Sequence, residues 1–400
     1  MTDTALCGLR VLDLSRVLAG PWCTQTLADL GADVVKVERP GCGDDTRQWG
    51  PPWAADGMSA YFLSTNRNKR SIAVDPAEPA DQALVRRLAS VADVVVENFK
   101  VGGLAQYGLD YASLAPANPR LIYASITGFG QTGPYRDRPG YDFMIQATGG
   151  LMSITGQPDS APGGGPVKVG VAVTDVMSGM YTSVAILAAL QRRATSGRGQ
   201  YIDMALMDVQ VAMLANQAAN FLVGGTVPGR LGNAHPNIVP YQEFPTADGY
   251  LIIAVGNDRQ FAQLADVMGR PQWASDERFA RNPDRVQHRD ELTSEMAAIT
   301  RTRPTGAWLE MLERANVPCG PINTIERVFA DPQVQARALR FDLRADGGEA
   351  IPQVASPIRL SESPVRYVRV PPGLGQHTAE VVNEWLGDHE KDISLQAPKT

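Results

Sequence analysis

Val11-Leu-Asp-Leu-Ser-Arg-Val-Leu-Ala-Gly-Pro-Trp22, followed by Gly31-Ala-Asp-Val-Val-Lys-Val-Glu38, decides the fold. Val11–Leu14 is a short apolar run that reads as a strand. Ser15 to Gly20 is a loop, and Pro21 suits the first helical position, where its missing N–H costs nothing. Trp22, Leu27 and Leu30 belong to the helix, and Gly31 reads as a left-handed cap. Val34–Val37 is the next strand. Strand, helix, strand makes a βαβ unit, which implies parallel strands and a right-handed crossover.

The alternation continues outward. Ser71–Val74 reads as a strand and Ala80–Leu88 as a helix. Val94–Val96 is a strand running into Glu97-Asn-Phe99, and Leu121–Ser125 is a strand ending in the loop Thr127-Gly-Phe-Gly-Gln-Thr-Gly133. This pattern predicts an α/β fold with an open, mostly parallel sheet. Ligands of such sheets bind beyond the carboxyl ends of the strands. Those ends are Ser15–Gly20, Glu38–Arg47, Asn98–Lys100 and Thr127–Gly133. The longest apolar helical pattern then runs from the Val169–Met180 segment to Arg192-Arg193. A strand at Gly199–Met204 and a helix from about Val209 to Phe221 follow, and Gly224–Gly232 reads as a linker. A second compact region has a strand at Tyr250–Val255 and helices after Asn257, at 289–299 and at 306–315. Ile358-Arg-Leu360 reads as strand-like, and a last helix ends near Leu386-Gly387.

Four hundred residues suit two domains, and 44% apolar with 20% charged residues is ordinary for a globular chain. The net charge of −6 has no long run of one sign, which argues against nonspecific nucleic-acid binding and a polybasic membrane patch. Cys7, Cys23, Cys42 and Cys319 form no C-x-x-C pair, and His235, His288, His377 and His389 are scattered. No metal site or disulfide framework is expected. The N-terminus has no basic-then-apolar leader, and no uninterrupted apolar stretch is long enough to span a bilayer. A soluble, cytoplasmic protein is the expectation.

Three catalytic fingerprints are missing. Ser15-Arg-Val-Leu-Ala-Gly-Pro21 lacks the glycines of G-x-G-x-x-G, so its backbone cannot approach a pyrophosphate closely. No G-x-S-x-G elbow is present, and no cysteine-nucleophile signature. Carboxylate chemistry is left. Asp175 stands near the start of the long apolar helix, where an acid costs free energy unless its charge is stabilised or used. It reads either as a helix-dipole carboxylate or as a reactive group.

The chain resembles the class III coenzyme A transferases, which include formyl-CoA transferase and the carnitine CoA-transferases. The likeness is carried, in order, by Gly8–Leu14, Ala19–Pro21, Leu30–Pro40, Gly43–Arg47, Asn68–Ile72, Val96–Phe99, Thr127–Pro134, Gly140–Asp142, the Asp175 segment, Gly197–Gln200, Val317–Pro321 and Leu374–Thr378. The resemblance implies a Rossmann-like large domain from residues 1–200 and 331–400, a linker helix at 201–225 and a smaller α+β domain at 226–330. It implies an interlocked homodimer. It also implies coenzyme A as co-substrate without a tightly bound cofactor, and CoA thioesters and small carboxylic acids as partners. Asp175 matches the family's nucleophile. Tyr141 and Asp142 match the pair beside the bound acid, although Tyr141 also reads as a core aromatic. Arg39, Asn98 and Phe99 match residues along the CoA, and Val74 reads as an apolar wall beside it.

Departures from the family pattern are informative. Ala77 and Gln106 replace a lysine and an arginine, so Lys100, Arg136, Arg47, Lys69 and Arg70 become the phosphate candidates. Leu18 replaces a glutamine of formyl-CoA transferase, while Gly232–Gln242 and Gly256–Phe261 look closer to members acting on dicarboxylates such as succinate and glutarate. Arg16 reads as a partner for a distal carboxylate or as an internal salt bridge, and His235 as part of the acid pocket or as a turn cap. Oxyanion donors are expected from the Gly224–Gly232 or Thr127–Gly133 amides. Related acyl-CoA racemases carry a histidine where this chain has Tyr141, and a phenol with a pKa of about 10 is a poor base. Racemase or epimerase activity is the alternative, as is a silent CoA-binding protein.

Overall fold

The computed structural model describes residues 4–344 and 348–387. His389 and the rest of the expected tail from 388 to 400 lie outside the described residues. Two compact units form. The first is Met1–Gly150, Val169–Ala219 and Pro332–Thr400; the second is Leu151–Lys168 and Asn220–Asp331.

The first unit is built on six strands: β1 Arg10–Asp13, β2 Asp33–Glu38, β3 Lys69–Ala73, β4 Val94–Glu97, β5 Ile122–Thr127 and β6 Tyr201–Ala205. Their order is β3-β2-β1-β4-β5-β6, with every pair parallel. Alternate residues of each strand serve opposite faces. Val11, Val34, Val94 and Ile122 join one buried cluster, and Leu12, Val35, Ile72, Val95 and Tyr123 join the other. Burial on both faces explains why the strands read as continuous apolar runs. The winding reverses between β1 and β4. Their carboxyl ends therefore open a crevice, the place where such sheets bind ligands.

Helices α1 Ala19–Asp29, α2 Pro79–Val91, α3 Asp142–Thr148 and α4 Val173–Ser196 belong to this unit. α4 crosses α1 closely at Gly179, where an added Cβ would stand 2.5 Å from the Ala19 carbonyl oxygen. Only glycine permits that approach, and it sets the first turn of α4 beside the loop after β1. By length and composition α4 is apolar enough to cross a membrane; here it packs on α1, β5 and β6 and buries Thr174, Ser178, Thr182 and Ser183.

Three expectations are corrected. Residues 201–225 are not one linker helix. Tyr201–Ala205 pairs with β5, and the helical part breaks at Ala215, whose φ is +44°. Leu151–Lys168 packs with the second unit, where Arg230 binds the carbonyls of Ser153 and Gln157 and the Asp159 carboxylate. Ile358-Arg-Leu360 is not a strand, because the Ile358 N–H donates to the Ser356 hydroxyl and so leaves no ladder. The strands nearby are β10 Arg340–Arg344 and β11 Ala350–Val354, an antiparallel pair.

In the second unit, β7 Tyr241–Pro245, β8 Tyr250–Ala254 and β9 Cys319–Pro321 form an antiparallel sheet. Its core gathers Phe244, Leu251, Ile253, Phe261, Trp273 and Trp308.

Candidate active site

The loop after β1 is held from beneath by buried charge. Asp13, at the end of β1, accepts from the Ser15 amide, the Ser15 and Thr24 hydroxyls and the Lys69 ammonium, the last at 3.1 Å. Lys36 donates to the Ser15 carbonyl at 2.9 Å and pairs with Asp44 at 2.8 Å. Both lysine side chains are fully buried. Burial pulls Lys69 down to about 8, and Asp13 offsets only part of that effect. The same network lets Val17 hold a φ of +70°, rare for a β-branched residue, with its N–H donating to Asp44 at 3.2 Å. Asn98, just past β4, clamps the loop from the other side. Its amide accepts from the Arg16 N–H at 2.9 Å and donates to the Arg16 carbonyl at 2.7 Å.

The loop after β5 is shaped by two glycines. A Cβ on Gly140 would stand 2.2 Å from the Gly128 Cα, so the two backbones touch where neither residue has a side chain. That contact brings Tyr141 to the end of β5 and starts α3 at Asp142. Asp142 turns onto α4. Its Oδ1 accepts from the Thr174 N–H at 2.8 Å and the Asp175 N–H at 3.3 Å. Its Oδ2 accepts from Gln146 Nε2 at 2.6 Å, and Gln146 Oε1 accepts from the Val169 N–H.

Asp175 therefore sits in the first turn of α4, half-buried. Burial pushes its carboxyl up to about 7, and the Asp142 charge adds to the effect. Among the described residues, no donor is hydrogen-bonded to its carboxylate. An ionisable group raised by burial in a cleft is a candidate for a functional carboxylate.

A cavity of about 720 Å3 opens on Asp175. Of the expected residues, Arg16, Leu18, Arg39, Asn98, Phe99, Lys100, Arg136 and Tyr141 line it as well. Val74 lines an adjoining cleft of about 110 Å3, which shares Arg16, Arg39 and Phe99 with the first. Asp142 stands behind the wall, engaged with α4. His235 belongs to the second unit, where its Nδ1 accepts from the Asn237 N–H at 3.1 Å and its ring meets Tyr241. Arg16 reaches Asp45 at 3.3 Å and lies over the Phe99 ring. Thr127 and Gly128 line the cavity, whereas the Gly225 and Gly232 amides donate to Phe221 and Gly156 within the second unit.

Three of the phosphate candidates are committed elsewhere. Lys69 holds Asp13, Arg70 pairs with Asp33, Glu380 and Glu384, and Arg47 pairs with Glu38. The cations along the cavity are Arg16, Arg39, Lys100, Arg136 and Arg138. Arg138 escaped sequence reasoning, as did Trp49 and Tyr61. Trp49 lines the cavity and meets Tyr61 edge-on at 5.2 Å. Burial pushes the Tyr61 hydroxyl up to about 12, and the charges of Asp175, Asp142 and Asp44 add to the effect. Two aromatics in a Pro/Gly-rich loop after Arg47 were the available signal.

Known proteins resemble this chain along nearly all of its length. Residues 6–378 match the model of CoA-transferase family III. A succinate–glutarate CoA-transferase from Agrobacterium fabrum is 56% identical over 384 residues, covering 95% of this chain and 95% of that protein. The succinyl-CoA:glutarate CoA-transferase of Homo sapiens is 44% identical over 386 residues, 96% of this chain and 87% of the human protein. Among solved structures, a CaiB/BaiF family protein from Brucella suis has a TM-score of 0.85 at 51% identity, covering 96% of this chain and 100% of that one.

Proposed function

Because this chain belongs to CoA-transferase family III, we propose that it moves coenzyme A from succinyl-CoA to a small dicarboxylic acid such as glutarate, with Asp175 as the covalent nucleophile. The observation that carries the reading is the Asp175 carboxylate, raised by burial, without a hydrogen-bond donor among the described residues and open to a cavity lined by five cations. The names of the relatives from Agrobacterium fabrum and Homo sapiens support the donor and acceptor.

The chemistry balances without ATP. An Asp175 oxygen attacks the thioester carbon, the C–S bond breaks, and CoA leaves as a thiolate with a mixed anhydride behind it. The thiolate then attacks the Asp175 carbonyl carbon, the anhydride C–O bond breaks, and the donor acid leaves. An aspartyl-CoA thioester is left, and the acceptor carboxylate runs the same steps in reverse. Splitting the exchange this way conserves the thioester and lowers each barrier. Arg39, Lys100, Arg136 and Arg138 would meet the phosphates of CoA. Arg16 would meet the distal carboxylate once released from Asp45, and Tyr141 would lie beside the acid. The coenzyme is a substrate here rather than a resident group. The interlocked homodimer that the family resemblance implies belongs to the same proposal, and light scattering of the purified chain tests it.

The test is an acceptor panel. With succinyl-CoA, glutarate should give glutaryl-CoA far faster than formate or oxalate, and Asp175→Ala should abolish transfer. Transfer that survives Asp175→Ala would remove the nucleophile assignment. Inversion of a 2-methylacyl-CoA without acyl exchange would favour the racemase instead.

A further inference from the structure

The start of α4 is where an anion should be most comfortable. Its cap residue, Ala172, offers no side-chain oxygen, and while the Val173 N–H donates to the Val171 carbonyl at 2.7 Å, the Thr174 and Asp175 N–H groups have no partner on the cap. The helix terminus also carries about half a positive charge. A carboxylate at Asp175 left alone there would gain from both, and backbone N–H bonds to a carboxylate lower its basicity strongly. The structure removes that option. Asp142 spends one oxygen on the Thr174 and Asp175 amides, at 2.8 and 3.3 Å. Gln146, one turn along α3, pins the other oxygen and is itself pinned by the Val169 N–H.

We propose that Asp142 is a positioning residue for the reaction of Asp175: by occupying the amides at the start of α4 with its own charge, it keeps the Asp175 carboxylate poorly stabilised, hence a strong nucleophile and a poor leaving group. This rests on Asp175 being the nucleophile. The groups that act on the Asp175 charge agree with it. Asp142 from α3 is repulsive, and among the described residues no cation forms an ion pair with Asp175. Burial pushes the Tyr61 hydroxyl up to about 12 and the Asp175 charge adds to this, so the phenol stays neutral beside the carboxylate. Burial with the Asp142 charge leaves the Asp175 carboxyl at about 7.

The consequence reaches both steps. A more basic carboxylate attacks the thioester carbon more readily once ionised. In the mixed anhydride, the thiolate has two carbonyls to choose from. Attack on the Asp175 carbonyl expels the donor acid, whose pKa is near the ordinary carboxylate value of about 4. Attack on the donor carbonyl expels Asp175 and returns the starting thioester. The weaker acid leaves less readily, so an Asp175 held well above its usual range biases the anhydride forward.

Asp142→Asn tests this, because its amide oxygen can still accept the two N–H bonds while the charge is gone, although its Nδ2 forfeits the hydrogen bond from Gln146 Nε2. The acid limb of the kcat/KM profile should move down by about one pH unit, a shift equal to a tenfold change in the Asp175 protonation constant. Above the limb, kcat should fall by about tenfold, with KM for succinyl-CoA nearly unchanged. Asp142→Glu should return the limb toward its original position, which a folding defect would not do. Thermal melts identify any variant that fails to fold; if Asp142→Asn does, the limb is read on Asp142→Glu alone, and a limb at the free-carboxylate pH overturns the proposal. An unmoved limb in Asp142→Asn, or a loss confined to KM, overturns it too. If Asp175→Ala is inactive while the Asp142→Asn limb stays put, only the positioning role fails. If Asp175→Ala remains active, the nucleophile assignment fails first.

Discussion

Replacing Asp175 by asparagine should stabilise the protein while ending transfer, and the two effects should have different pH dependences. The carboxyl is raised from 3.8 to about 7 in the fold, chiefly by burial. Between those values the folded state holds a proton that the unfolded state has released, so stability falls as pH rises from about 4 to about 7. At pH 8 the penalty is fully present; below about pH 3 both states are protonated and it vanishes. Three pKa units would be worth about 4 kcal/mol without screening. The side chain is only half-buried and opens on a cavity, so about 1–3 kcal/mol is the expected gain for Asp175→Asn at pH 8. The gain should raise Tm by about 1–4 °C at pH 8 and shrink toward nothing by about pH 3. Paired urea titrations of the wild type and variant across that range measure it. A variant equally stable or less stable at pH 8, or a gain that does not change with pH, would refute the reasoning that the carboxylate is held against its solvation preference.

Much of the first unit was legible in the sequence, for a definite reason. Strands buried on both faces have no polar alternation, so Val34–Val37, Val94–Val96 and Leu121–Ser125 stand out from the loops around them. The loops after β1, β2, β4 and β5, which contribute to the cavity wall, follow from the strand ends. What escaped were relations made in three dimensions. Lys69 and Arg70 read as available cations, yet the fold places their partners, Asp13 and Asp33, on strands far away in sequence. Asp142 was expected beside the substrate. It faces α4 because amides from more than thirty residues on lie within reach. Tyr61 lies in a single helical turn, Ala60–Leu63, and Arg138 in an irregular loop, both too short to carry periodicity, so only the fold brings them to the site.

Further tests follow from the same contacts. Gly140→Ala should destabilise the first unit by about 2 kcal/mol and cut kcat by at least tenfold, because its Cβ would drive Tyr141 and α3 away from β5; an unaffected enzyme would mean the Gly128–Gly140 contact is dispensable. Lys69→Met should cost about 3–5 kcal/mol in urea unfolding, since it strips the buried Asp13 of its direct cation; a loss under about 1 kcal/mol would show the pair to be replaceable by packing. Arg16→Ala should change stability by less than about 1 kcal/mol, as its pair with Asp45 is exposed, yet raise KM for a dicarboxylate acceptor; an unchanged KM would return Arg16 to a purely internal role.

The central claim is that Asp175 itself carries coenzyme A. Mass spectrometry of the protein quenched in acid during turnover with succinyl-CoA tests it most directly. The account predicts a fraction of the chain heavier by coenzyme A less one water, with the adduct on the peptide containing Asp175 and lost on treatment with hydroxylamine. Wild-type turnover with the adduct mapped to any other residue, or with no covalent adduct at any point of the time course, would contradict it.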